Sequence, residues 1–136
     1  MESAVVTDRQ PSIVVIDDSP TSISLYERSS EPLDVALHTF MSPKQSVAFL
    51  RENPADLICL DVLTREKDGL SVLREIRKLA DHADTPVVII TSKDYAQDRI
   101  QARELGAADY LLKPLRSQEI REIICQHTDA KPKTNQ

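Results

Sequence analysis

Short unbroken runs of apolar residues recur along the chain and are separated by longer segments of mixed polarity. The clearest runs lie at residues 12–16, 57–60 and 87–90, and each is rich in valine, isoleucine or leucine. Such runs are too short for a surface helix and are typical of strands buried on both faces of a parallel sheet. We predict three central strands at these positions.

The segments between the runs carry the start and stop signals of helices. Ser19-Pro20 and Ser42-Pro43 each place a capping serine before a proline at the first helical position. Asp68 is placed to cap a third helix, in which Arg77 is predicted to point outward. Helices are predicted at residues 20–30, 44–52, 70–79, 95–105 and 117–127, with two further strands at residues 33–40 and 109–112.

This alternation of strands and helices predicts the fold class. Parallel neighbours in a sheet need a crossover helix, and the crossover has one preferred hand, so the helices cover both faces. We expect an α/β fold with a doubly wound, flavodoxin-like parallel sheet of five strands in the order 2-1-3-4-5. A single domain is predicted at residues 12–127, between a flexible leader at residues 1–11 and a disordered tail at residues 128–136.

The charge balance of the chain narrows the choice of partners. The net charge is −5, from 17 basic and 22 acidic residues among 136. Direct binding to nucleic acid or to an anionic membrane needs a basic surface, so neither is expected. The sequence has no apolar run near the roughly 18 residues of a membrane span and no signal-peptide pattern at its start, so a cytoplasmic protein is expected.

The cysteines and histidines suggest no chemistry of their own. Cys59 lies in a predicted buried strand and Cys125 in a predicted helix, without the spacing of a metal site. Both are interpreted as reduced structural thiols. The histidines are scattered along the chain and are assigned no metal or catalytic role.

Polar side chains follow the predicted strands where these end. Asp17 and Asp18 follow the first strand, Asp61 the third, Thr91 the fourth and Lys113 the fifth. The carboxyl ends of parallel strands share one edge, so the carboxylates are expected to converge there. Two unit charges about 4 Å apart repel by roughly 4 kcal/mol at an effective dielectric of about 20. A Mg²⁺ ion, which prefers carboxylate ligands, would relieve this repulsion.

Such a site suits phosphoryl transfer to a carboxylate. The cation and the Lys113 ammonium would neutralise phosphate oxygens, and the Thr91 hydroxyl would donate to another. Asp61 is the nucleophile in this interpretation, and the product is an aspartyl phosphate.

The chain resembles the receiver domain of two-component response regulators, the family that includes the single-domain chemotaxis regulators. The resemblance covers about residues 12–127 and rests on stretches that follow one another in the family's order. They are Ile16-Asp17-Asp18-Ser19-Pro20-Thr21, Leu60-Asp61-Val62 continuing to Asp68-Gly69, Ile90-Thr91-Ser92-Lys93-Asp94, and Gly106-Ala107-Ala108-Asp109-Tyr110-Leu111-Leu112-Lys113-Pro114.

The resemblance implies a phosphoacceptor and a metal site. Asp61 would be the phosphoacceptor and a metal ligand. Asp18 would bind Mg²⁺ directly, Asp17 would assist through water, and the backbone carbonyl of Leu63 would complete the protein ligands.

The same resemblance implies how the phosphoryl group is held and sensed. Thr91, Ser92 and Lys113 would bind it, and Pro114 would follow a cis peptide bond that orients Lys113. Thr91 and Tyr110 would form a switch pair: on phosphorylation the threonine moves toward the phosphate and the aromatic ring turns inward.

The implied function is a phosphorylatable switch and not an enzyme. A sensor histidine kinase or a histidine phosphotransfer protein would donate the phosphoryl group. The face made by the fourth helix, fifth strand and fifth helix would then change shape for a downstream protein target or output domain, and would also serve a homodimer. Arginines near this face, Arg99, Arg103, Arg116 and Arg121, are either a partner surface or a solvated one.

Two alternatives and one departure qualify this interpretation. A pseudo-receiver adaptor would bind partners without phosphorylation, which the intact acidic cluster argues against. An aspartate-nucleophile phosphatase would have two aspartates separated by one residue, whereas Asp17 and Asp18 are adjacent.

The family commonly has Met-Pro where this chain has Thr64-Arg65, which bears on loop order and partner choice. Leu63 is expected to hinder attack by water and lengthen the life of the acyl phosphate.

Overall fold

The computed structural model describes residues 10–62 and 68–134. Residues 1–9 of the predicted leader lie outside the described residues. So do Leu63 and the departure at Thr64-Arg65, and the statements about them remain predictions.

A single parallel sheet forms the centre of the domain. Its strands are β1 (Ser12–Ile16), β2 (Ala36–Phe40), β3 (Leu57–Asp61), β4 (Val87–Thr91) and β5 (Asp109–Leu112), and their order is β2-β1-β3-β4-β5. Residues of β1, β3 and β4 are almost all fully buried, as expected for strands covered on both faces. The predicted doubly wound fold and strand order are confirmed.

Helices cover both faces of this sheet. They are α1 (Pro20–Ser30), α2 (Pro43–Glu52), α3 (Gly69–Lys78), α4 (Ala96–Glu104) and α5 (Ser117–His127), and a short 3-10 helix, Ala80–His82, follows α3. Helices α1 and α5 pack on one face through Tyr26 and Ile120, and α2, α3 and α4 pack on the other. Ser19 and Ser42 accept the predicted capping hydrogen bonds at the starts of α1 and α2.

The chain around the second strand differs from the prediction. β2 begins at Ala36 and not at residue 33, because Leu33 instead forms an antiparallel bridge with Pro132. Asp34 N–H donates to Lys131 O at 2.7 Å, and Lys133 N–H donates to Pro32 O at 2.9 Å. The expected disorder from residue 128 onward is therefore wrong for residues 128–134, which continue from α5 to pair with the segment before β2.

Arg77 does not point outward as predicted. Its guanidinium is half-buried and donates to four carbonyls, those of His82, Thr85, Leu105 and Gly106, at 2.7 to 3.0 Å. These carbonyls lie at the edge of the sheet opposite to the carboxyl ends of the strands. Arg77 thereby holds the 3-10 helix, the start of β4 and the end of α4 together. The acidic residues lie at the other edge of the sheet.

His82 is the second buried polar group at this edge. It is 1% exposed; its Nε2 lies 2.9 Å from Leu50 O and 3.1 Å from Asn53 O, and its Nδ1 lies 3.0 Å from Thr85 Oγ1. Since Nε2 faces two carbonyls, it carries the proton and donates. The histidine therefore has a structural role, since it connects the end of α2 to the segment before β4.

Across residues 10–62 and 68–134, none of the helices has the length and apolar character needed to cross a membrane.

Candidate functional site

Strand register brings the acidic residues together. Ile16 of β1 lies opposite Leu60 of β3, so Asp17 follows β1 at the level where Asp61 ends β3. Asp17, Asp18 and Asp61 each offer a carboxylate oxygen, and these oxygens all lie within 4.8 Å of one another. Asp17 is 1% exposed and Asp61 5% exposed, whereas Asp18 is half-buried. The predicted convergence of the carboxylates is confirmed.

Lys113 supplies the positive charge of the cluster. Its Nζ lies 2.9 Å from Asp17 Oδ2 and 3.1 Å from Asp61 Oδ2, and it donates a hydrogen bond to Asp61. With Asp17 it forms an ion pair, and Asp17 Oδ2 is buried and accepts no further hydrogen bond from the described residues. Asp17 Oδ1 accepts from Ser19 N–H at 2.9 Å.

The charged groups shift one another's pKa. Burial raises the pKa of Asp17 above its ordinary value, although Lys113 and Ser19 act in the opposite direction. Burial acts to lower the pKa of Lys113, but attraction to Asp17 and Asp61 outweighs it and the pKa is raised. Lys113 therefore stays protonated at neutral pH, while the Asp17 carboxylate is held in a charged state that its surroundings disfavour.

The fourth strand delivers the predicted hydroxyl residues to the same edge. Thr91 is the last residue of β4 and is fully buried, and its Oγ1 accepts from Lys93 N–H at 3.3 Å. Ser92 follows and is exposed. Thr91 O accepts from Lys113 N–H at 2.8 Å, and the Lys113-Pro114 peptide bond is cis, as the resemblance implied.

The other member of the predicted switch pair, Tyr110, lies in β5 opposite Ile89 of β4. Its ring is half-buried and packs against the core that lies under α2, α3 and α4. Tyr110 Oη is buried, and none of the described residues offers it a hydrogen bond. Burial raises the pKa of this phenol.

Gly69 is a site residue that the sequence pattern did not single out for its packing. A Cβ on Gly69 would lie 2.2 Å from Val62 Cα and 2.9 Å from Asp61 O. Gly69 N–H donates to Val62 O at 3.0 Å, so the start of α3 is held directly against the end of β3. Only glycine allows this approach, and the Asp68-Gly69 pair in the sequence is the signal that could have indicated it.

The cysteine two residues before Asp61 is chemically inert. Cys59 is buried in β3, and burial raises its pKa to about 12, so its thiol stays protonated. Cys125 is exposed on α5, and both cysteines are free. The prediction of reduced thiols is confirmed, although the exposed Cys125 has no packing role.

The donor set of the cluster fits a hard divalent cation. Three carboxylates meet one lysine, which leaves an excess of negative charge, and all the candidate ligand atoms are oxygens. Beyond its ion pair with Lys113, the buried Asp17 Oδ2 accepts no hydrogen bond from the described residues and is available to a cation or to a water bound to one. The residues present therefore fit Mg²⁺.

Replacing Asp17 by asparagine is expected to raise the free energy of unfolding of the metal-free protein by about 1 kcal/mol. The substitution removes a buried charge from an acidic cluster, and the amide oxygen still accepts from Ser19 N–H. Urea denaturation in EDTA measures the change.

The pH dependence of the same measurement gives a second test. Because the folded state raises the pKa of Asp17, it binds the proton more tightly than the unfolded state, and the stability of the native chain falls as pH rises from the ordinary value of 3.8 through the raised one. The variant should lose this contribution. A variant less stable than the native chain at neutral pH would mean that the ion pair with Lys113 outweighs the burial of Asp17.

Comparison with known proteins defines the family. The model of the response regulator receiver domain matches residues 13–125. The transcriptional regulatory protein BaeR of Escherichia coli O6:H1 is 31% identical over 120 residues, which make up 88% of this chain and 49% of that protein. The chain thus spans about half the length of this curated relative.

Solved structures show the same fold. The Vibrio cholerae chemotaxis protein CheY4 has a TM-score of 0.81 at 16% identity, over 88% of this chain and 100% of that one. The receiver domain of the sensor histidine kinase PA1611 of Pseudomonas aeruginosa has a TM-score of 0.77 at 24% identity, over 88% and 98%, and holds a magnesium ion in its active site cleft. The chain belongs to the response regulator receiver domain family, whose members are signalling domains of two-component systems.

Proposed function

We propose that this receiver accepts a phosphoryl group on Asp61 and uses it to switch a partner-binding face. The observation that carries the proposal is the convergence of Asp17, Asp18 and Asp61 with Lys113 at one strand edge. The donor is a phosphohistidine of a sensor histidine kinase or histidine phosphotransfer protein. A carboxylate oxygen of Asp61 forms the new P–O bond while the P–N bond to the donor imidazole breaks, and the imidazole takes up a proton.

The charge of the cluster prepares this transfer. Asp17, Asp18 and Asp61 would hold Mg²⁺, with the Leu63 carbonyl as a further ligand. When bound, the ion supplies positive charge to the phosphate oxygens. The magnesium in the similar receiver of PA1611 supports this assignment. Lys113, already within 3.1 Å of Asp61, pairs with the phosphoryl group after transfer.

The remaining predicted residues bind and report the phosphoryl group. The Thr91 hydroxyl and the backbone N–H of Ser92 donate to phosphoryl oxygens, since Thr91 ends β4 beside β3 and Ser92 follows it. When Thr91 shifts toward the phosphate, the packing of Tyr110 changes. The face of α4, β5 and α5 changes shape as a result. A downstream protein or output domain binds this face, and a homodimer through it is a second use of the same surface.

Intact mass after incubation with acetyl phosphate tests the proposal. With Mg²⁺ we expect a gain of one phosphoryl group, and with EDTA we expect none, because the carboxylates then repel the incoming phosphate. Borohydride reduction of the acyl phosphate followed by peptide mapping should locate it at position 61.

The controls separate the parts of this test. A sample with Mg²⁺ but no donor should keep its mass. An equal gain in EDTA would remove the metal from the proposal. No gain in any condition would favour a constitutive adaptor over a phosphorylated switch.

A further inference from the structure

The chain that follows α5 turns back across the domain at Thr128. The Thr128 hydroxyl donates to Ile124 O at 2.7 Å and accepts from Ala130 N–H at 3.1 Å, so this side chain both ends the helix and directs the residues after it. Residues 129–133, which we call the strap, then run antiparallel to residues 32–34, between α1 and β2. The strap therefore joins the end of α5 to the entry of the edge strand.

Main-chain pairing holds the strap on both sides of one bridge. Leu33 and Pro132 form the bridge, and the two hydrogen bonds donated by the N–H groups of Asp34 and Lys133 flank it. Ala130 packs against the apolar cluster under α1 and α5, and Leu33, a member of that cluster, is 6% exposed. Such pairing uses groups that every peptide carries, so residues 32–34 offer a place for an extended segment whose side chains fit.

Charged side chains beside this pairing favour a basic segment. Lys133 Nζ lies 3.2 Å from Glu31 Oε1. Asp34, on the other side of Leu33, is also acidic, and its Oδ1 accepts from Gln10 Nε2 at 2.7 Å. The connection thus places an apolar residue between two carboxylates, and the strap faces it with a proline between two lysines. The charges of the two segments are complementary.

The strap is held weakly enough to open while the domain stays folded. Within residues 10–62 and 68–134, it rests on two main-chain hydrogen bonds, one alanine in the apolar cluster and an ion pair whose lysine and glutamate side chains are 50% and 76% exposed. Exposed ion pairs contribute little, and the other gains are of the same order as the conformational entropy lost on fixing the strap. Segments of this kind open locally.

We propose that residues 31–34 form a docking site for an extended, lysine-bearing peptide, and that the strap occupies this site in cis. When the strap opens, the N–H of Asp34, the carbonyl of Pro32 and the side chain of Leu33 are presented to a partner segment. The docking site precedes β2, so it lies at the edge of the sheet opposite to the acidic cluster. It is separate from the proposed phosphorylation site and does not rest on it.

Amide hydrogen exchange followed by NMR tests the cis contact in the full chain. Lys133→Pro removes the N–H that binds Pro32 O, and residue 133 lies outside the helices and strands, so the fold should persist, which urea denaturation checks. The Asp34 amide should then exchange about tenfold faster than in the native chain, as expected when its hydrogen bond opens. Thr134→Pro introduces proline one position later, keeps Lys133 N–H and should leave the exchange at the native rate.

Fluorescence anisotropy of a labelled synthetic peptide of residues 128–134 tests the docking site in trans. The Lys133→Pro chain should bind the peptide about tenfold more tightly than the native chain, in which the tethered strap competes at a high effective concentration. Glu31→Lys, added to Lys133→Pro, should weaken this binding severalfold because it places like charges together. Glu52→Lys makes the same charge change at the exposed end of α2 and should leave the binding unchanged.

The two measurements separate the strap from the docking site. Native exchange of the Asp34 amide in Lys133→Pro would overturn the strap. Faster exchange without peptide binding, or binding that Glu31→Lys and Glu52→Lys reduce equally, would overturn the docking site. Both measurements are made in EDTA without a phosphoryl donor, so their failure is distinct from a failure of phosphorylation at Asp61.

Discussion

The Asp61→Asn variant is expected to gain no phosphoryl mass from acetyl phosphate and Mg²⁺ under conditions in which the native chain gains one group. The amide has nearly the shape of the carboxylate but is not a nucleophile toward phosphorus, and it also removes one negative ligand from the acidic cluster. Intact mass spectrometry at several times of incubation measures the difference, which should be complete within detection.

The fold should survive this substitution, so that loss of phosphorylation is not loss of structure. Asp61 is one of three converging carboxylates, and the amide oxygen still accepts from Lys113. We expect a melting temperature at or above that of the native chain. Asp68→Asn is the matched control, because asparagine also caps α3 and Asp68 lies outside the cluster. Phosphorylation of Asp61→Asn would identify another acceptor and contradict the proposal.

The sheet could be predicted because its central strands are locally distinctive. A run of buried β-branched residues has few other structures open to it, and a capping serine before proline marks a helix start. The edge strand β2 was less predictable. The segment before β2 mixes polar and apolar residues, and Leu33 pairs with Pro132, a partner nearly a hundred residues away that no local pattern indicates.

Arg77 shows that the charge of a side chain can mislead about its exposure. Its charge predicts an outward position, although it lies one turn after the buried Leu73 on the same side of α3. The carbonyls that it binds come from the 3-10 helix, the start of β4 and the end of α4. A long arginine side chain reaches such groups only after the chain has folded around it, so the sequence gives no sign of them.

The candidate site was also predictable only in part. Its acidic residues and Lys113 could be predicted because each follows a recognisable strand and parallel strands end at one edge. The assignment of phosphoryl binding to Thr91 and Ser92 stays a prediction. The contact between Arg99 and Tyr110, in which the guanidinium carbon lies 4.7 Å from the ring centroid, could not be predicted, since it depends on how α4 lies across β5 and not on the order of residues.

Gly69→Ala is expected to destabilise the domain by about 3 kcal/mol and to slow phosphorylation, although alanine favours helices. In an unconstrained helix this change would stabilise by roughly 0.5–1 kcal/mol. Here a Cβ would lie 2.2 Å from Val62 Cα, an approach that side-chain rotation cannot relieve. The start of α3 must move away from β3, at a cost toward the upper end of that for overpacked sites.

The sign of the stability change shows whether helix propensity or packing dominates at Gly69. Because Gly69 lies against the end of β3, the substitution also links stability to function. Moving α3 breaks the hydrogen bond from Gly69 N–H to Val62 O and displaces Asp61 O, which the new Cβ would approach to 2.9 Å. The acceptor carboxylate then shifts relative to Lys113. Urea denaturation gives the loss of stability, and the rate of mass gain with acetyl phosphate gives the loss of function.

Gly106→Ala is the control that separates the loss of stability from the loss of phosphorylation. Gly106 has φ of 78°, and among the described residues its Cβ would meet the Arg77 side chain alone, at 3.7 Å. The strain of a left-handed residue should cost about 1–2 kcal/mol. Because Gly106 lies at the opposite edge of the sheet, phosphorylation should keep its native rate. If Gly69→Ala stabilised the domain, or lost stability while phosphorylating at the native rate, the close contact of α3 with β3 would not be what positions Asp61.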